Sequence, residues 1–253
     1  MKSQIIIIPI HNQLPFVQKC YESVMKYTKL SIIIMVDDGS DKETADWIRL
    51  QDVLNNVVSI RNEKAQGFSV ACNKGIDYAM AHYDFNCLCL LNSDAEVATE
   101  NWFDKVEAHF TSGIKVGVAG VMSNNALAQT IKNIPEYLKK IDSKPTVYCN
   151  IIHGFCYVVS KKLIETIGHL DNITFPHYGS EDDYSMKSIQ QGFVNILIGS
   201  VYLKHANETS YTHDVRANHL KKTLPDFQKR WGYQYVDKCV RQAIKAGAYI
   251  NNK

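Results

Sequence analysis

Ser31-Ile32-Ile33-Ile34-Met35-Val36-Asp37-Asp38-Gly39-Ser40 is the stretch on which the fold turns. Residues 31–36 read as a buried strand, apolar and largely β-branched from Ile32 to Val36. The run stops abruptly at two carboxylates and a glycine. Ser40 followed by Glu43 is a capping-box pair, so a helix is expected to start there and run towards Leu50.

The same alternation continues on both sides. Residues 4–10 read as a first buried strand. After His11-Asn12-Gln13, Leu14, Val17, Cys20, Tyr21, Val24 and Met25 follow at helical spacing. Residues 57–60 read as a third strand. Residues 67–83 read as a helix with Phe68, Ala71, Cys72, Ile76, Ala79 and Met80 on one stripe, and 85–91 as a fourth strand ending in Asn92-Ser93-Asp94. Trp102, Val106 and Phe110 mark another helix, and 115–121 another strand. Strands alternating with helices predict βαβ units and an α/β fold with a mostly parallel sheet flanked by helices.

Beyond residue 123 the texture changes. Residues 123–146 lack a period and are expected to hold a loop and a short helix. Residues 147–159 read as a strand interrupted at His153-Gly154, and 160–167 as a helix closed by Gly168. A glycine- and aromatic-rich loop leads into Glu181-Asp182-Asp183, where a helix starts that stops at Gly192. A strand over 195–203 leads to His205. Residues 214–250 read as largely helical, broken near Pro225 and Gly232. The expected organisation is one unit over 1–213 and a helical extension over 214–253.

The chain has 253 residues, room for one large domain or two small ones at roughly 150 residues each. With 45% hydrophobic and 21% charged residues it has a globular composition, not that of a disordered, collagen-like or coiled-coil chain. Lys and Arg number 28 against 26 Asp and Glu, a balance that carries no nucleic-acid footprint. The apolar run over 5–10 is far short of the ~20 residues of a membrane span. No secretory signal is legible, so a cytoplasmic protein is expected. The seven cysteines are odd in number, scattered and without zinc-finger spacing, and reduced core thiols are expected.

In open α/β sheets ligands bind beyond the carboxyl ends of the strands. Two strands here end in acid, at Asp37-Asp38 and at Asp94. Either cluster alone also fits a turn with a helix cap. No glycine-rich dinucleotide loop follows the first strand, and no P-loop lies anywhere in the chain. A carboxylate site repels a bare diphosphate. It holds one through a divalent cation that takes carboxylate oxygens on one side and phosphate oxygens on the other. That chemistry suits a nucleotide diphosphate as leaving group.

Taken together, these motifs resemble family-2 glycosyltransferases of the GT-A fold. The opening strand ends in Pro9-Ile10-His11-Asn12, and Val36 to Ser40 follows. Gly67-Phe68 with Asn73-Lys74-Gly75 is similar to the family's G-[FY]-x(4)-N-x-G helix, and Leu91-Asn92-Ser93-Asp94 to a variant of its D-x-D motif. Gly168-His169-Leu170-Asp171, Glu181-Asp182-Asp183-Tyr184 with Lys187, His205, and the stretch from Phe227 to Gly232 complete the set.

The resemblance implies an inverting transfer from a nucleotide diphosphate sugar to a glycan or lipid-linked acceptor, with Mn²⁺ or Mg²⁺. It places Pro9, His11, Asn12, Asp37, Asp38, Gly67, Asn73, Asn92, Ser93 and Asp94 with the nucleotide sugar. Asp94 would ligate the metal with His205. The base falls on Glu181 or Asp182, the shorter Asp182 arm being the better fixed at a helix start, with Asp183 as the helix-start residue. Tyr157, Phe175, His177 and Tyr178 are candidates to stack on a sugar, a core role competing for Tyr157 and Phe175. Lys221, Lys222, Lys229 and Arg230 offer either a solvated helix face or peripheral contact with a membrane. Two rival readings are a sugar-nucleotide-forming nucleotidyltransferase, whose glycine- and basic-rich first loop is missing, and a catalytically silent sugar-nucleotide-binding module.

Overall fold

The computed structural model describes residues 2–29, 31–54, 56–126, 129–206 and 213–232. The first half is β1 (Gln4–Ile10), α1 (Leu14–Tyr27), β2 (Ser31–Asp38), α2 (Lys42–Gln51), β3 (Val57–Asn62), α3 (Phe68–His82), β4 (Cys87–Leu91), β5 (Ala95–Val97), α4 (Trp102–Phe110) and β6 (Val116–Ser123). Then come α5 (Ile134–Leu138), β7 (Thr146–Cys149), β8 (Cys156–Ser160), α6 (Lys161–Ile167), α7 (Ser180–Gln190), β9 (Val194–His205) and α8 (His213–Trp231).

Among the described residues nine strands form one sheet in the order β3-β2-β1-β4-β8-β6-β9-β5, with β7 also paired to β9. The strands β1 to β4, β6 and β9 run one way, and β5, β7 and β8 run against them. Strand side chains alternate between faces, so the isoleucines of β1 serve two cores. Ile6, Ile8 and Ile10 pack with Val17, Cys20, Trp102 and Phe103 of α1 and α4. Ile5 and Ile7 pack with Ala71, Cys72, Ile76 and Ala79 of α3. Among the described residues six cysteines are free and buried, and no helix is long and apolar enough to cross a membrane.

Several local details depart from the sequence reading. β2 runs on through Asp37 and Asp38, which pair with Arg61 and Asn62 of a correspondingly longer β3. α2 is capped by Asp41, whose side chain accepts from Thr44 N at 2.9 Å. Ser40 instead accepts from Asn12 N at 2.8 Å, spending its hydroxyl on the neighbouring strand end. The sequence reading holds no β5, which is only three residues long. α8 passes through Pro225 unbroken. The missing amide costs a helix hydrogen bond, while Phe227, two residues on, is buried against Phe175 and Met186 and anchors the helix. Residues 233–250 of the expected extension lie outside the described residues.

Candidate functional site

The sheet register carries the candidate residues to one edge. Ile10 lies beside Asp37, Leu91 beside Cys156, and Ala95 beside His205. The carboxyl ends of β1, β2, β4 and β9 and the start of β8 therefore share a rim.

At the β1–β2 end the two aspartates are fully engaged. Asp37, 2% exposed, accepts from Ser40 N at 2.8 Å and is ion-paired to Arg61. Asp38, 4% exposed, accepts from Asn62 Nδ2 at 2.7 Å, Gln66 N at 2.9 Å and Gly67 N at 2.8 Å. Both carboxylates fold the loops that line this end. Pro9 is a buried strand residue beside Val36. His11 Nδ1 lies 2.8 Å from Asp38 O, and Asn12 Oδ1 accepts from Asp41 N at 2.7 Å. Gly67 has φ +105°, and a Cβ there would stand 2.6 Å from Pro176 O and 2.9 Å from the His177 ring. Only a glycine lets the loop before α7 close onto the start of α3. Burial, then the neighbouring His219, holds the His177 imidazole below its ordinary pKa, with Asp38 pulling the other way.

Asn73, on α3, is bonded to the 168–171 turn. Its Nδ2 donates to Leu170 O at 2.9 Å and its Oδ1 accepts from Leu170 N at 3.1 Å. Both ends of the carboxamide are thus spent on fastening the 168–171 turn to α3.

Asp94 and His205 meet because β5 pairs with the end of β9. His205 Nε2 lies 3.3 Å from Asp94 Oδ1. The other ring nitrogen, Nδ1, is 2.7 Å from Asn125 O, a carbonyl that only accepts, so Nδ1 carries a hydrogen. In a neutral ring Nε2 then presents its lone pair to a carboxylate oxygen. Two acceptors in that arrangement call for a positive charge, a proton or a cation, between them. A carboxylate oxygen and an oriented imidazole form a donor set that suits Mn²⁺. Among the described residues no group of three His, Cys, Asp or Glu gathers as a metal site. The Asn92–Asp94 turn is held by its backbone: Asn92 N donates to Phe155 O at 2.9 Å, and Cys20 Sγ donates to Asn92 O at 3.6 Å. The Phe155 ring stacks on His205 at 5.1 Å.

The three acids at the start of α7 divide in role. Asp183 is 0% exposed and takes Arg230 Nη1 and Trp231 Nε1 at 2.9 Å each, with Lys187 Nζ at 2.7 Å. It ties α7 to α8 and is closed off from solvent. Glu181 is half-buried. Its Oε2 accepts from Ser180 Oγ at 2.8 Å, and a Cβ on Gly154 would overlap its Oε1 and lie 2.7 Å from its Cδ. Glu181 therefore lies against the segment that leads into β8, beside the Phe155 that holds Asn92 and covers His205. Burial raises its pKa. Asp182 is pushed up to about 7 by burial and by the Glu181 and Asp183 carboxylates on either side.

Of the aromatic candidates, Tyr157 and Phe175 are core residues. Tyr157 spends its hydroxyl on Glu181 O and Ser185 Oγ, and Phe175 packs edge-on against Phe227. His177 and Tyr178 are half-buried on the loop. Of the four basic residues on α8, Arg230 is bound to Asp171 and Asp183 and is no part of a free solvated face. The sequence reading took Gly154 only as a break in a strand, and did not reach the Asn124 carboxamide that binds the His205 backbone at 2.7 and 3.0 Å or the Arg61 partner of Asp37.

Comparison with known proteins gives the family and the fold. The family model described as "Glycosyl transferase family 2" matches residues 5–168. The hexosyltransferase Agl10 of low-salt glycan biosynthesis in Haloferax volcanii is 21% identical over 221 residues, spanning 81% of this chain and 68% of that protein. Glycosyltransferase GlyG of Streptococcus pneumoniae is 32% identical over 103 residues, 39% of this chain and 32% of that protein. Among solved structures, the Pyrobaculum calidifontis mannosyltransferase PcManGT, in complex with GDP-Man and Mn²⁺, superposes with TM-score 0.68 at 14% identity, covering 98% of this chain and 74% of its own. GalNAc-T7 with UDP, GalNAc and Mn²⁺ superposes with TM-score 0.65 at 16% identity, covering 92% of this chain and 50% of its own.

Proposed function

The chain belongs to glycosyl transferase family 2, and from that premise we propose that it transfers a sugar from a nucleotide diphosphate donor to an acceptor hydroxyl, with inversion and with a divalent cation. The observation that carries this reading is the shared wall of the site. Glu181 rests on Gly154, the next residue binds the Asn92 backbone, and its ring covers His205 beside Asp94. Two kinds of chemistry are thereby set next to one another.

In this reading residues 1–122 hold the donor and 123–213 the acceptor, a glycan or lipid-linked hydroxyl. Gly67, Pro9, His11, Asn12 and the loop pinned by Asp38 receive the nucleoside. Asp37 acts at one remove, by holding Ser40 and Arg61. Asn92 and Ser93 shape the turn that presents Asp94. Asp94 and His205 would hold Mn²⁺ or Mg²⁺. Bound there, the ion would offset the charge of the diphosphate and make it a better leaving group. Inversion is a single in-line displacement, so one carboxylate must take the acceptor's proton as the new bond forms. Glu181 is the acid that rests on Gly154, ahead of β8. Asp182 is its neighbour, and burial raises the pKa of both carboxyls.

The test is release of nucleoside diphosphate from a panel of UDP- and GDP-sugars, with Mn²⁺, by the parent chain and by Glu181→Gln and Asp182→Asn. General-base catalysis contributes about 10²–10⁴-fold, so the base variant loses that factor while donor affinity stays near parental. Parental rates in both variants would remove α7 from the chemistry.

A further inference from the structure

The contacts of α8 reach the start of α7 from a direction that the proposed transfer does not use. Arg230 Nη1 lies 2.7 Å from Asp171 Oδ2 and 2.9 Å from Asp183 Oδ1, and its Nη2 donates to Thr174 Oγ1 at 3.1 Å. The guanidinium carbon sits 5.0 Å from the centre of the Phe175 ring. Trp231 Nε1 adds a second bond to Asp183. One guanidinium therefore clamps both ends of the loop that runs from the 168–171 turn to α7. The same loop is pinned to α3 on its other side: Ser69 Oγ donates to Phe175 O at 2.6 Å and Ser69 N to Pro176 O at 3.1 Å.

We infer that Arg230 is a positioning residue: through Asp183 it sets both the placement and the ionisation of the Glu181–Asp182 pair. The inference rests on the proposed reading that this pair takes the acceptor's proton. Among the described residues the charged and titratable groups around the pair include Cys72 of α3, which feels the Glu181 charge, and the buried Tyr184 of α7. Asp183 stands beside the pair on α7 and carries Lys187 and Arg230. Asp171 shares Arg230 from the loop side, and Tyr157 of β8 donates its hydroxyl to the Glu181 carbonyl. His177 and His219 face one another with ring centres 4.1 Å apart, where the loop meets α8. Removing the Arg230 charge leaves Asp183 balanced by Lys187 alone. The unbalanced negative charge disfavours ionisation of the neighbouring pair. A base that ionises later shifts the rising limb of turnover to higher pH.

The experiment compares the pH dependence of kcat for the full chain and for Arg230→Gln, Arg230→Lys and Trp231→Phe, using the best donor of the UDP- and GDP-sugar panel. The limb of Arg230→Gln should move up by about one pH unit, a roughly tenfold larger loss at the acid end than at the alkaline end. Arg230→Lys keeps the charge and should return the limb to its parental position. Trp231→Phe removes a hydrogen bond but no charge, and should lower kcat without moving the limb. A folded Arg230→Gln whose rate is reduced by one factor at every pH, or is unchanged, overturns the inference. If Arg230→Gln does not fold, the inference is decided on Arg230→Lys and on Asp171→Asn, which frees Arg230 to pair with Asp183 alone and should move the limb to lower pH. An unmoved limb in Asp171→Asn overturns it. Parental turnover in both Glu181→Gln and Asp182→Asn would instead overturn the base assignment on which it rests.

Discussion

Replacing Asp183 by alanine separates a structural acid from a catalytic one. The carboxylate is 0% exposed and meets Arg230 and Trp231 at 2.9 Å and Lys187 at 2.7 Å. Removing one partner of a buried ion pair typically costs about 3–5 kcal/mol. Part of that is recovered here. Arg230 keeps Asp171 at 2.7 Å and Thr174 at 3.1 Å, and the Lys187 side chain can turn to solvent. The Trp231 N–H loses its acceptor, a penalty of about 1–3 kcal/mol. The expected total is therefore near the lower bound, about 3 kcal/mol. For a chain of this size about 1 kcal/mol moves the midpoint by 2–4 °C, so Tm should fall by roughly 6–12 °C. Asp183→Asn keeps one acceptor and should fall about half as far. Thermal unfolding followed by circular dichroism, alongside Glu181→Gln as a control with parental Tm, is the assay. A parental Tm in Asp183→Ala combined with lost turnover would refute the reasoning and place Asp183 in the catalytic set.

Gly154→Ala should displace the Glu181 carboxylate, which is the movable end of a flexible side chain; turnover should drop at least tenfold with Tm near parental, and unchanged turnover would show that Glu181 works from another position. Asp94→Ala should abolish the Mn²⁺ dependence of UDP or GDP binding in calorimetry, and His205→Ala should weaken it less; equal affinities with and without Mn²⁺ in the parent would contradict the cation site. Asp38→Ala frees Asn62, Gln66 and Gly67 from their shared acceptor and should cost about 1–3 kcal/mol of stability while weakening nucleoside and nucleotide binding together; loss of nucleoside binding at parental stability would make the carboxylate a direct base contact. Asp182, raised from 3.8 to about 7, holds a proton in the folded chain that the unfolded chain has released. Its stabilising contribution is therefore full below about pH 4 and lost as pH rises to about 7, so parental Tm should decline over that window relative to Asp182→Asn. Parallel curves would rule the shift out.

The alternation of the first half was legible because β1, β2, β4 and β6 are largely apolar runs and α1, α3 and α4 carry apolar stripes. Ile5 to Ile10 serves both faces of a central strand, which leaves no polar position to confuse the period. β5 was not legible, since three residues carry no periodicity, yet it is the element that brings Asp94 to His205. The acids were found as a cluster but not sorted. Sorting Asp183 from Glu181 requires knowing which side α8 packs on, and of the basic residues there Arg230 is the one bound to Asp171 and Asp183, while Lys221, Lys222 and Lys229 are exposed. Asn73 and Asp38 are expected with the nucleotide sugar through the family resemblance. The hydrogen bonds they make to backbone far along the chain are a relation that local patterning does not carry.

The most direct test of the account is nucleoside diphosphate release by the double variant Glu181→Gln with Asp182→Asn, measured with Mn²⁺ and a saturating UDP- or GDP-sugar that the parent turns over, together with the affinity for that donor. The account predicts a fall in turnover of at least about 10²-fold with donor affinity within about threefold of parental. Turnover at the parental rate in the folded double variant would contradict it.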